Sequence, residues 1–238
     1  MIRTIAFDAD DTLWHNERIF INAKEKYKLL LNRYHEPDWI EERLDAAEAR
    51  NIKHFGYGVK GFTLSMIETA VELTEGRITG NEIKDIIGYA REMLEAPIDI
   101  LKGAPEAVEE LSNGYRLMII TKGDLFDQEA KISRSGLAGY FEEIEVVSKK
   151  TVEVYGKIAK RHSIDIDSFV MVGNSLRSDI LPVVELGGRA VHVPYETEWF
   201  HERVDESELE DMHFASLRDL TELPAWIRSK AAEGRSAT

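Results

Sequence analysis

The chain has 238 residues, 43% hydrophobic and 31% charged, with a net charge of −14 and no cysteine. That apolar share and length fit one large globular domain or two smaller ones and exclude a disordered chain, and the missing cysteines exclude disulfide scaffolds, thiolate metal sites and cysteine nucleophiles. The acidic excess argues against nucleic-acid polymers and anionic membranes as partners.

The opening residues MIRTIAFDADD break their apolar run too early for a secretory signal, and no window approaches the ~20 apolar residues of a membrane span. A cytoplasmic protein is expected.

Residues Ile2 to Phe7 form a short apolar run that ends in Asp8-Ala9-Asp10-Asp11-Thr12. Such a run reads as a buried parallel strand, and the polar cluster falls at its carboxyl end, where open α/β sheets bind ligands. From about Asn16 to Glu95 the period becomes helical, with apolar stripes at Phe20, Ala23, Tyr27 and Leu30; Ile40, Leu44 and Ala47; Met66, Ala70 and Leu73; and Ile83, Ile87, Ala90 and Leu94. Asn81 is the expected N-cap of the last of these helices.

After Pro97 strands and helices alternate. A helix over 105–112 precedes a strand from Tyr115 to Ile120, which ends in Thr121-Lys122-Gly123-Asp124. A helix to about Ser135, capped by Gly136, leads to strands at Ile144–Val147, Phe169–Val172 and Ala190–Val193. The alternation predicts an α/β fold: a Rossmann-like, doubly wound parallel sheet core with an inserted α-helical domain. The expected division is a core of 1–15 and 97–230, a helical insertion of 16–96 and a frayed tail of 231–238.

Each strand that ends in polar residues presents them at the same sheet end: Asp8, Asp10, Asp11, Thr121, Lys149, Lys150, Asn174 and Asp179. Acids crowded on one rim repel unless a cation neutralises them, and oxygen ligands select a hard ion such as Mg²⁺. Carboxylates, a hydroxyl, an ammonium and Mg²⁺ together describe a phosphoryl-transfer site. The glycine-rich nucleotide-binding loops and the serine-hydrolase elbow are missing from the sequence.

In these residues the chain resembles the haloacid dehalogenase-like hydrolases. That family's D-x-D-x-T-L motif matches Asp8-Ala9-Asp10-Asp11-Thr12-Leu13, and its strand-end Ser/Thr matches Thr121. Its lysine falls in SKKTVEVY, and its acidic loop matches Gly173-Asn174-Ser175-Leu176-Arg177-Ser178-Asp179. The insertion after the first motif resembles the family's helical cap.

The resemblance implies hydrolysis of a small phosphomonoester through an aspartyl-phosphate. Asp8 would be the nucleophile and Asp10 the general acid and base. Mg²⁺ would sit among Asp8, Asp10 (through its carbonyl), Asn174 and Asp179, and Thr121, Lys122 and Lys149 would hold the phosphoryl group. Laying Val154-Tyr155 on the family pattern puts the lysine at Lys149 rather than Lys150. Asn174 stands where the family usually has Asp, which removes one negative charge from the metal's surroundings.

In the glycine-rich loop His54–Gly61, Tyr57 and Lys60 are the expected specificity residues of the cap. Asp11 is expected to turn the chain without binding metal. An acid at position 10 disfavours the dehalogenating members, whose halide leaves without a proton. A 2-haloacid dehalogenase, or a catalytically weak binding protein that retains the fold, are the alternatives.

Overall fold

The computed structural model describes residues 1–197, 202, 204–209 and 212–236. The chain divides into two compact units: Met1–His15 with Ile98–Lys122 and Gln128–Thr238, and Asn16–Pro97 with Gly123–Asp127.

The first unit is built on a six-stranded sheet of β1 (Thr4–Phe7), β2 (Arg116–Lys122), β3 (Glu143–Val147), β4 (Phe169–Gly173), β5 (Arg189–His192) and β6 (Ala215–Ser216). The spatial order is β3-β2-β1-β4-β5-β6, and all neighbours are parallel. The chain winds outward from β1 to β3 on one side and from β4 to β6 on the other, so the order reverses at β1. That reversal opens a crevice at the carboxyl ends of the central strands.

Side chains alternate across the pleat, and both faces are covered. Ile5, Phe7, Leu117, Ile119, Val170 and Val172 pack with α5 (Ala104–Ser112), α6 (Leu125–Arg134) and α9 (Leu223–Ser236). Ala6, Met118, Ile120 and Met171 pack on the other face with α7 (Val152–Arg161) and α8 (Leu181–Glu185). Each fully buried large aliphatic side chain contributes roughly 1.5–3 kcal/mol.

Helix α9 runs through Ser236, so most of the stretch expected as a frayed tail is helical. The two-residue β6 was not foreseen; so short a segment has no period to read.

The second unit packs α1 (Glu17–Leu31), α2 (Pro37–Phe55), α3 (Val59–Leu73) and α4 (Gly80–Glu95) around Tyr27, Leu31, Ile40, Leu44, Phe62, Met66 and Ile86. The buried Tyr27 hydroxyl donates to the Met66 carbonyl at 2.8 Å. The N-cap of α4 is Thr79 rather than Asn81. Thr79 Oγ1 accepts from Glu82 N while the Glu82 carboxylate accepts from Thr79 N, a reciprocal pair that Asn81 cannot form from inside the helix. No helix among the described residues is long and apolar enough to cross a membrane.

Candidate active site

The first-motif loop is fixed by the strand before it. Asp8 N donates to Val172 O at 2.8 Å, which carries the β1–β4 ladder one residue beyond β1 and aims Asp8 at the crevice. Asp11 takes φ +60° and its N–H donates to Trp14 O at 2.7 Å, so this residue turns the chain.

The turn sends the Asp10 side chain into a ring of donors: Lys131 Nζ at 2.7 and 2.8 Å, Gln128 Nε2 at 2.8 Å and Trp14 Nε1 at 2.8 Å. Burial alone would push the Asp10 carboxyl up, but Lys131 and the other donors outweigh it and hold the group below the ordinary carboxylate range.

Of the two adjacent lysines, the structure brings Lys150 into the site and leaves Lys149 exposed. In an extended segment successive side chains point to opposite faces, so only one of the pair can turn inward. Thr151 then caps α7 by accepting from Val154 N, which fixes the frame. Placing Lys149 by the Val-Tyr pattern therefore missed by one residue.

Lys150 Nζ lies 2.6 Å from Asp8 Oδ1 and 2.6 Å from Asp179 Oδ1, a fully buried cation between two carboxylates. Asp179 Oδ2 also accepts from Ser175 N at 3.0 Å. Gly173 makes room for it: a Cβ there would stand 2.2 Å from Asp179 Oδ2. Burial and the charge of Asp179 together push Asp8 up to about 7 despite Lys150. One lysine does not balance two buried acids, and an additional cation would restore the ionised form.

The Asn174 amide also faces Asp8. One end of its amide is 3.2 Å from Asp8 Oδ2, 3.3 Å from the Asp10 carbonyl oxygen and 3.1 Å from Thr12 Oγ1. With nitrogen on that side, Asn174 donates to these oxygens. With its carbonyl oxygen there, oxygens from Asp8, Asp10 and Asn174 converge at separations near ~3 Å, the edge length of an octahedron with ~2.1 Å metal–oxygen bonds. The donor set is all oxygen, so it fits Mg²⁺. Among the described residues no group of three or more His, Cys, Asp or Glu side chains gathers as a metal site; the oxygens that converge here include a main-chain carbonyl and an amide.

Thr121 is buried at the end of β2, on the strand next to Asp8. Lys122, expected on the phosphoryl group, has protein partners instead: Ser178 Oγ at 3.1 Å and the carboxylate of Glu202. In the helical unit Tyr57 is half-buried, whereas Lys60 is exposed and pairs with Asp124 at 2.9 Å, its ammonium 5.5 Å from the Phe126 ring.

Sequence reasoning missed Lys131, Gln128 and Glu202. For the first two a signal existed: Gln128, Lys131 and Ile132 lie on one stripe of α6, so polar side chains occupy the face turned to the core and need buried partners. Trp14 is buried and also donates to Asp10.

A haloacid dehalogenase-like hydrolase family model matches residues 2–187. The chain is 39% identical to a crystal structure of a haloacid dehalogenase-like family hydrolase from Xanthomonas campestris, with TM-score 0.88 over 100% of this chain and 95% of the other. It is 25% identical to the glyceraldehyde 3-phosphate phosphatase of Methanocaldococcus jannaschii, over 94% of this chain and 97% of that enzyme. The magnesium-bound HAD-hydrolase YfnB of Bacillus subtilis shares the fold, with TM-score 0.66 and 19% identity over 95% of this chain and 99% of that one. The chain thus belongs to the haloacid dehalogenase-like hydrolases, in the company of phosphatases.

Proposed function

We propose that the chain is a Mg²⁺-dependent phosphatase of a small phosphomonoester, with Asp8 as nucleophile. The observation that carries this reading is the buried Asp8–Lys150–Asp179 bridge at the switch point of the sheet, faced by the Asn174 amide. The phosphatase names of the curated relatives support it.

An Asp8 carboxylate oxygen bonds to phosphorus while the ester P–O bond breaks, and Asp10 gives the departing oxygen a proton. Water then attacks phosphorus, Asp10 takes its proton, and phosphate leaves as the Asp8 carboxylate is restored. The ring of Lys131, Gln128 and Trp14 favours the ionised Asp10 that the second step needs and works against the protonated form that the first step draws on.

Thr121 and the main-chain N–H groups beside it hold phosphoryl oxygens, and Lys150 keeps Asp8 in place and offsets charge. Asp8, the Asp10 carbonyl and Asn174 would hold Mg²⁺, with Asp179 beside them, and the ion when bound supplies charge neutralisation for the transferring group.

Residues 1–15 and 97–230 act as the catalytic core in this reading. The helical insertion 16–96 acts as a cap that shields the reaction from water, with Tyr57 and Lys60 as its specificity residues.

The test is release of phosphate from an aryl phosphate with Mg²⁺, comparing wild type with Asp8→Asn. We expect Asp8→Asn to lose about three orders of magnitude in kcat; equal turnover removes Asp8 from the chemistry.

A further inference from the structure

Glu202 lies beyond β5, is 9% exposed, and accepts from three donors of the same rim: Lys122 Nζ, Ser175 Oγ, and Ser178 Oγ at 2.6 Å. Ser178 N also donates to Ser175 Oγ at 2.9 Å, and Ser175 N donates to Asp179 Oδ2. The cluster is therefore continuous with the bridge to Asp8. An ammonium and two hydroxyls at a strand end are the groups with which a protein holds a second anionic group of a substrate. Here a carboxylate of the chain itself already occupies them. Burial alone would push Glu202 up, but Lys122 and the serine hydroxyls keep it below the ordinary glutamate range, so the pair is internally neutral.

We propose that Glu202 is a specificity-determining residue: by occupying Lys122, Ser175 and Ser178, it selects phosphomonoesters whose leaving group carries no second anionic group. An incoming carboxylate meets Lys122 already paired with Glu202. To use Lys122 it must displace Glu202, which leaves a buried charge unpaired. A neutral, hydroxylated or carbonyl-bearing leaving group meets neither cost. The inference rests on the phosphatase reading above.

The test compares kcat/KM for phosphoglycolate, whose leaving group bears a carboxylate, with that for glycerol phosphate, whose leaving group is neutral. Wild type is expected to prefer glycerol phosphate. Glu202→Gln keeps acceptor capacity and removes the charge, so it should raise the phosphoglycolate-to-glycerol phosphate ratio about tenfold, through KM for phosphoglycolate. Lys122→Gln leaves Glu202 unbalanced and should lower the same ratio, which provides a second arm if the first variant fails to fold by thermal melting. A wild-type preference for phosphoglycolate, or a ratio that either folded variant leaves unchanged, overturns the proposal. Failure of wild type to hydrolyse either ester and the aryl phosphate strikes the phosphatase reading itself.

Discussion

In the sheet unit, Lys150 lies between Asp8, just beyond β1, and Asp179, in the helical turn that follows β4. In the helical unit, Lys24 pairs with Asp45 at 2.7 Å, while the neighbouring Glu48 is 7% exposed and its Oε2 has no hydrogen-bond partner among the described residues. Both regions bury more carboxylate than their lysine can balance. They differ in how far the partners are drawn from. The rim joins residues 142 and 162 positions apart, and the Asn174 amide faces oxygens of Asp8, Asp10 and Thr12. The helical cluster joins adjacent helices and leaves only a strained acid. Buried imbalance marks a site where converging groups offer a ligand somewhere to bind; elsewhere it is a stability cost.

The sharpest way to break this contrast is Lys150→Met. It leaves Asp8 and Asp179 facing each other without compensation, and should cost about 3 kcal/mol in urea unfolding and about three orders of magnitude in kcat. A variant of unchanged stability and turnover would show that the bridge is incidental.

Asn174→Asp adds a third carboxylate to the rim and should raise Mg²⁺ affinity about tenfold by titration calorimetry. Without Mg²⁺ its melting temperature should fall, and with Mg²⁺ the loss should be recovered, because the added charge repels Asp8 until a cation arrives. Unaltered affinity would move the cation away from Asn174.

An effect on stability alone is expected at Glu48, which burial pushes up to about 7. Because its folded pKa lies above its ordinary value, the folded state holds the proton more tightly. That contribution is complete below about pH 4 and is lost as pH rises through about 7. Glu48→Gln should therefore gain about 2 kcal/mol over wild type at pH 8 and much less at pH 4, read from urea midpoints. Equal gains at both pH values would show that charge is not the cause.

Much of this was legible in the residues. The apolar run before Asp8 and the strand-end placement of Thr121, Asn174 and Asp179 announce a parallel sheet with one polar rim. Period alone also separates the helical insertion. What stayed hidden depends on side-chain direction and on distant partners. The choice between Lys149 and Lys150 turns on which of two adjacent side chains faces inward, a register that only the Thr151 cap settles. The sharing of Lys122 with Glu202 joins positions 80 apart and leaves no local pattern. Asn81 is a residue type that caps well, but the partner that fixes the cap, Glu82, lies three residues after Thr79.

The position of β1 at the middle of the sheet has a consequence for biosynthesis. Its two neighbours, β2 and β4, leave the ribosome long after it does, and the lysine that balances Asp8 follows 142 positions later. A nascent chain thus carries Asp8 with neither flanking strand nor counter-charge, and closing such long loops is slow. Sheet closure and the pairing of Asp8 with Lys150 therefore fall together, late in synthesis.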